Sequence, residues 1–253
     1  MAIQPPNMVA NTIYLITGAN RGIGKGLVAA YLARDNTIVI AAVRSVASAD
    51  SLKTLPKGQG SRLIIVPLDS SNEQAPAKAV QLLSTQGIDH IDVVIANAGI
   101  AEETGLIAEV TGDVVRKHVE VNAWGPLFLF QAVLPLLNAA KNPKFVAVGS
   151  PLGSAGVMES YPGPFFAYGV SKAALHYICR KIHFEHENIT VFSISPGLVQ
   201  TDMGNRGAEI FGLKEAPVTL QDSVKFQVST IDGATREKTS GHFPCIKEGE
   251  CPW

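Results

Sequence analysis

The sequence predicts an α/β fold: a doubly wound, mostly parallel sheet with helices on both faces. Three observations point to it. Short β-branched apolar runs recur along the chain, segments of helical period separate them, and a glycine-rich turn joins the first run to the first helix. Continuously apolar runs suit a sheet covered on both sides, because neither strand face then meets water. Their alternation with helices implies right-handed crossovers.

Taken in order, Thr12–Thr17 reads as the first strand and Gly22–Arg34 as the first helix. Thr37–Val43 and Arg62–Pro67 follow as strands, then Asn72–Gln86 as a helix and Ile91–Ala96 as the fourth strand. Asp113–Ala140 and Phe166–Glu187 have helical spacing, and Lys144–Gly149 and Thr190–Ser195 are further strands. The apolar stretch Ala123–Ala140 is broken by Gly125, Pro126, Gln131 and Pro135, so a buried helix is expected there and no membrane span. Pro151–Pro164 and Gly204–Thr219 are rich in Gly, Pro and Ser. Both follow strands on the carboxyl side of the sheet, where open α/β sheets bind ligands, and are expected to form substrate loops over 151–164 and 203–219.

Composition narrows the function. The 253 residues are 46% hydrophobic and 17% charged, with 21 Lys and Arg against 22 Asp and Glu. A net charge of −1 gives no basic excess for nucleic acid. Cys179, Cys245 and Cys251 do not read as a disulfide framework or a zinc site, so no metal is expected and a reducing compartment is the simpler reading. Met1–Asn11 shows no charged segment followed by an apolar one, so the sequence predicts a soluble cytoplasmic protein without a secretory signal.

The chemistry begins at Thr17-Gly18-Ala19-Asn20-Arg21-Gly22-Ile23-Gly24, between the first strand and the first helix. Glycines there let the backbone turn tightly and approach a pyrophosphate, which the helix N-terminus favours. At the tip of the second strand, Ala42-Val43-Arg44-Ser45 offers a cation where an NAD site usually carries a carboxylate. Arg44, with Arg21 as a second charge, favours the 2′-phosphate of NADPH/NADP+.

Farther on, Tyr168 and Lys172 lie four apart in a helical segment and share a face. A tyrosine with a pKa near ~10 is a sluggish acid, and a neighbouring ammonium is expected to lower that value. Tyr168 can then protonate a carbonyl oxygen as hydride reaches its carbon. Tyr161 is a weaker rival, since position 165 is Phe and Pro162 disfavours a helix there.

These motifs, in this order, resemble the short-chain dehydrogenase/reductase family. The glycine spacing GxxxGxG, the segment Ala96-Asn97-Ala98-Gly99 with Ala in place of the family's first Asn, Val121-Asn122-Ala123, Tyr168 with Lys172, and Pro196-Gly197-Leu198-Val199-Gln200-Thr201 carry the resemblance. It implies a single Rossmann domain over 1–253 around a seven-stranded sheet. Gly18, Asn20, Arg21, Gly22, Ile23, Gly24, Arg44, Asp69, Asn97, Ala98, Gly99, Tyr168, Lys172, Pro196, Gly197, Val199 and Thr201 would then hold the cofactor, Asp69 at the adenine. Ser150, Tyr168, Lys172 and Asn122 would be catalytic, with Ser154 as the alternative to Ser150 and Asn122 completing a proton relay through water to Lys172.

Thr201-Asp202-Met203-Gly204 and the ending Thr239 to Trp253 are similar to the norsolorinic acid ketoreductase branch, whose members reduce aromatic polyketide ketones in fungal secondary metabolism. A small-molecule carbonyl substrate is expected, lined by Phe165, Phe166, Met158 and Phe211. Helices near Trp124 and Phe166 suggest a homo-oligomer, dimer or tetramer, although some relatives are monomers. A catalytically silent NADP-sensing regulator is the other reading, opposed by the intact Ser, Tyr, Lys and Asn set. His176, His183 and His186 have no ligand companions and are expected to cover a helix surface.

Overall fold

A computed structural model describes residues 11–253; the leader reading of Met1–Asn11 therefore lies almost wholly outside the described residues. Strands β1 (Thr12–Thr17), β2 (Thr37–Val43) and β3 (Arg62–Pro67) alternate with α1 (Gly22–Leu32) and the short α2 (Asp50–Lys53). Next come α3 (Ala75–Ser84), β4 (Val93–Ala96), α4 (Gly112–Val119), α5 (Gly125–Asn138), β5 (Lys144–Val148), α6 (Phe166–Glu185) and β6 (Thr190–Ile194). The chain continues through α7 (Asp202–Ile210), α8 (Leu220–Gly233), β7 (Pro244–Cys245) and β8 (Gly249–Glu250).

The main sheet has six strands in the order β3-β2-β1-β4-β5-β6, all parallel. The winding reverses between β1 and β4, so the loops leaving their carboxyl ends splay apart and open a crevice there. Alternate residues of each strand feed opposite layers. Leu15, Ile40, Val94 and Phe145 pack with Leu129, Val133 and Leu137 of α5 and Leu175 of α6. Ile16, Val39, Ile95 and Phe192 pack with Leu27, Val28 and Tyr31 of α1 and Ile231 of α8. Both layers are nearly dry, which fixes the strand register and hence the loops at the crevice.

Three expectations change. The seventh strand shrinks to β7, which meets β6 only through a parallel bridge between Ser195 and Cys245 and then pairs with β8 in a separate two-stranded hairpin. Pro244 has no amide to donate, which curtails any longer ladder. Cys245 and Cys251 are joined in a disulfide that closes this hairpin, so the cysteines do supply one bridge and no longer argue for a reducing compartment. The expected loop over 203–219 begins as helix α7, because Thr201 Oγ1 caps it by accepting from the Gly204 amide at 3.1 Å.

The apolar stretch also runs on further than its prolines suggest. α4, a π-helical turn at Glu120–Trp124 and α5 form one helix, Gly112–Asn138, long and apolar enough by length and composition to cross a membrane. Pro126 follows directly on the π-helical turn, where the regular i→i−4 ladder is already interrupted. Leu129, Phe130, Val133 and Leu137 commit one face to the sheet. Trp124, by contrast, is exposed.

Candidate active site

β1 delivers the chain to a turn that only glycine fits. Gly18 has φ +62°, and a Cβ there would lie 2.9 Å from the Ala98 Cα. A Cβ on Gly24 would stand 2.3 Å from the Gly18 carbonyl oxygen. Asn97 ties this turn to the loop after β4: Nδ2 donates to the carbonyls of Thr17 at 2.8 Å and Gly18 at 3.3 Å. In return, Thr17 Oγ1 accepts from the amides of Asn97 and Ala98. The substitution of Ala96 for the family's Asn leaves this stitching intact.

α1 starts at Gly22 with no side-chain cap and no acid in its first turn. The amides of Gly22, Ile23 and Gly24 thus present unopposed partial positive charge. With the glycine clearances, this cradle fits the pyrophosphate of a dinucleotide. Arg44 is exposed directly after β2, with no carboxylate at the tip. Asn20 Nδ2 donates to Ser48 Oγ at 3.2 Å, bringing a hydroxyl beside the glycine turn that sequence reasoning missed. Arg21 pairs with Asp202 at 3.4 Å across the crevice, an exposed contact of little energetic weight. Asp69 accepts from the amide and hydroxyl of Ser71, which orders the loop after β3.

The opposite wall comes from Pro196–Thr201. Gly197 has φ +83°, Val199 is buried, and a Cβ on Gly22 would touch the Thr201 methyl at 3.4 Å. The glycine turn and this segment are therefore two sides of one cleft.

Beside it, β5 ends at Val148 and Ser150 opens a 3-10 turn, its Oγ accepting from the Leu152 amide at 3.3 Å. The Ser150 hydroxyl stands beside the Tyr168 phenol, near enough to pull its pKa downward. Lys172, one turn along α6, is buried; its Nζ lies 5.6 Å from the centre of the Tyr168 ring and donates to the Val148 carbonyl at 2.7 Å. Ser154 is turned away, its buried hydroxyl donating to the Pro252 carbonyl, so the serine that meets Tyr168 is Ser150.

The electrostatics correct one expectation. Tyr168 is not acidified: burial pushes its phenol up to about 12, against a smaller downward pull from the Ser150 hydroxyl. Burial likewise lowers the Lys172 ammonium to about 8. The Lys172 amine, directed at the Val148 carbonyl, does not offset that burial.

Asn122 sits fully buried in the π-helical turn. Its Oδ1 accepts from the Ile100 amide at 2.8 Å, and its Nδ2 donates to the Ile100 carbonyl and to Ser171 Oγ, both at 2.9 Å. It braces the loop after β4 against α6, next to Lys172. Glu102, Glu103, Thr104, Pro164 and Phe165 border a cleft that opens onto Tyr168. Phe165 packs on Phe211 with ring centres 5.2 Å apart, while Phe166 is half-buried and Met158 exposed.

His176 departs from the surface role expected for it. It is 3% exposed, and its Nε2 accepts from the Ser150 amide at 3.4 Å. Its position one turn beyond Lys172 was the available signal. His183 and His186 are half-buried.

The sequence profile of short chain dehydrogenases matches residues 12–209. The chain is 48% identical to norsolorinic acid ketoreductase nor1 of Dothistroma septosporum, over 99% of this chain and 96% of that protein. It is 44% identical to norsolorinic acid ketoreductase stcE of Emericella nidulans, over 99% and 97% respectively. Among solved structures, NADPH-bound carbonyl reductase from chicken fatty liver matches with a TM-score of 0.83 and 28% identity, covering 97% of this chain and 100% of that one.

Proposed function

This chain belongs to the short-chain dehydrogenase family, and we propose that it reduces a ketone or aldehyde carbonyl to an alcohol with NADPH as the hydride source. The observation that carries the proposal is the meeting of the Ser150 hydroxyl with the Tyr168 phenol at the mouth of the cleft, with Lys172 one turn behind. A regulator that only senses the dinucleotide has no use for that acid.

When bound, the nicotinamide supplies hydride; the chain's own residues supply orientation and a proton. Ser150 donates to the substrate oxygen and stabilises the charge that develops on it. Tyr168 is protonated at neutral pH, which is the state required of an acid before an alkoxide forms, and gives its proton to that oxygen. Lys172 opposes the charge left on the phenolate and holds the nicotinamide ribose. Asn122 fixes α6 beside Lys172 and completes the relay that returns a proton.

Arg44, assisted by Arg21, takes the 2′-phosphate, and the open first turn of α1 takes the pyrophosphate. Asp69 contacts the adenine, while Asn97, Ala98, Gly99 and the stretch Pro196–Thr201 line the nicotinamide half. One domain spans 1–253, with 151–164 and 203–219 as substrate walls. The apolar rim at Phe165 and Phe211, and the names of the nearly full-length relatives, favour an aromatic, polyketide-like ketone from secondary metabolism. We place the enzyme in the cytoplasm as a homo-oligomer. The test is NADPH oxidation against a panel of aromatic and aliphatic ketones and aldehydes; no turnover with any of them would overturn the reading.

A further inference from the structure

Tyr168, Lys172 and His176 follow one another at four-residue intervals along α6, so one helix stripe carries all three. Tyr168 borders the cleft, and Lys172 lies buried behind it on the Val148 carbonyl. His176 also lies behind the cleft, under the backbone that presents Ser150. The imidazole approaches so closely that a Cβ on Gly149 would lie 2.7 Å from Nε2. Glycine before the serine is what admits the ring.

The ring is walled on its other sides. Phe243 lies 4.5 Å from it and Trp253 5.7 Å, centre to centre. Because Nε2 accepts from the Ser150 amide, the neutral ring must carry its proton on Nδ1. Among the described residues that nitrogen has no hydrogen-bond partner within bonding geometry, although the Gly153 backbone lies near the ring. Burial, then the neighbouring Lys172 ammonium, pull the imidazole down to about 3, so it stays neutral wherever the enzyme works. A buried histidine with one unpaired nitrogen is costly to keep as mere filler.

We propose that His176 is a positioning residue for the reductase chemistry: it holds the main chain of Ser150, and through it the direction in which the serine hydroxyl meets Tyr168 and the substrate oxygen. The proposal rests on the reading of Ser150 and Tyr168 given above. His176 touches neither substrate nor cofactor. Its effect belongs to the transition state, where the serine's hydrogen bond strengthens, more than to substrate binding.

The test compares His176→Leu, which removes the acceptor, with His176→Gln, whose amide oxygen reaches about as far as Nε2. In His176→Leu, kcat is expected to fall roughly tenfold while KM and NADPH affinity change by less than about twofold. Hydrogen exchange at the Ser150 amide should accelerate in the same variant. His176→Gln should restore most of both. Equal loss in the two variants, with NADPH still bound, would show that only the ring's bulk matters and overturn the proposal. Unchanged exchange at Ser150 in His176→Leu would overturn it too. Should neither variant fold, nitrogen NMR of the wild-type ring decides: a proton on Nε2 refutes the assignment, and one on Nδ1 supports it. Lost protection at Ser150 in a chain that reduces no ketone would leave the clamp standing and overturn the reductase reading instead.

Discussion

Lys172 Nζ donates to the Val148 carbonyl at 2.7 Å and lies 5.6 Å from the centre of the Tyr168 ring. The amine therefore ties α6 to the end of β5, and the phenol retains its proton. For a reductase this is the useful order of events. The acid must arrive loaded, and any stabilisation of its phenolate by the Lys172 charge makes the transfer easier.

Tyr168→Phe removes that proton while leaving the ring in place. NADPH oxidation with a responsive ketone should fall by about 10²–10⁴-fold, the usual worth of a positioned acid. NADPH affinity, read by fluorescence titration, should stay within a few-fold of wild type. Turnover near the wild-type rate would mean that some other group supplies the proton.

The pH profile follows from Lys172. Its buried ammonium, lowered to about 8, is charged below that value and lost above it, while Tyr168 stays protonated up to about 12. The log of kcat/KM, which reports the free enzyme, should be level at neutral pH and decline as pH rises through about 8. A profile still level at much higher pH would exclude Lys172 as the essential charge.

Arg44→Ala tests cofactor choice. Loss of a charge-assisted contact to the 2′-phosphate should weaken NADPH binding by about one to two orders of magnitude and leave NADH untouched. Equal affinity for NADPH before and after the change would move the phosphate site elsewhere, with Arg21 and Ser48 the first places to look.

The hairpin bond makes a stability prediction. Closing so short a loop contributes roughly 2 kcal/mol in the chain-entropy picture. The double substitution Cys245→Ser, Cys251→Ser should lower the thermal midpoint by several degrees, and a dithiol reductant should do the same to wild type but not to the variant. Identical melting curves with and without reductant would show the bond to be absent in solution.

Much of this molecule was legible in the chain itself. β1, β2 and β3 begin and end where their β-branched apolar runs do; β1 and β2 are almost wholly buried, while β3 at the sheet edge buries only Ile64 and Val66. β4 starts two residues later than its apolar pattern: the Asp92 backbone still bonds Ile13 and Lys144, but its carboxylate takes the Ile13 amide that a further ladder step would need. The glycine turn, Asn97, Ser150, Tyr168 and Lys172 stand out in the chain because each motif needs a particular residue type at a particular place. α7 does not, because Gly204 and Gly207 are poor helix formers and the Thr201 cap decides the matter. α8 carried no distinguishing motif. The phenol's upward shift and the burial of His176 depend on groups brought together by the fold, the Ser150 amide preceding His176 by 26 residues, whereas the cysteine pairing is local and depends on a hairpin that the sequence did not announce.

The abbreviated β7 has a consequence for how copies of this protein can meet. An unpaired outer strand is a template on which a foreign strand can grow, and β6 occupies that place in the sheet. Here the template is spoiled at both ends: Gly241 and Ser240 bond the main chain of Val191, and Pro244 and Ile246 bond that of Ser195. A neighbour seeking to lengthen the sheet on this flank finds its docking groups already taken, so self-association by strand addition is blocked on that side.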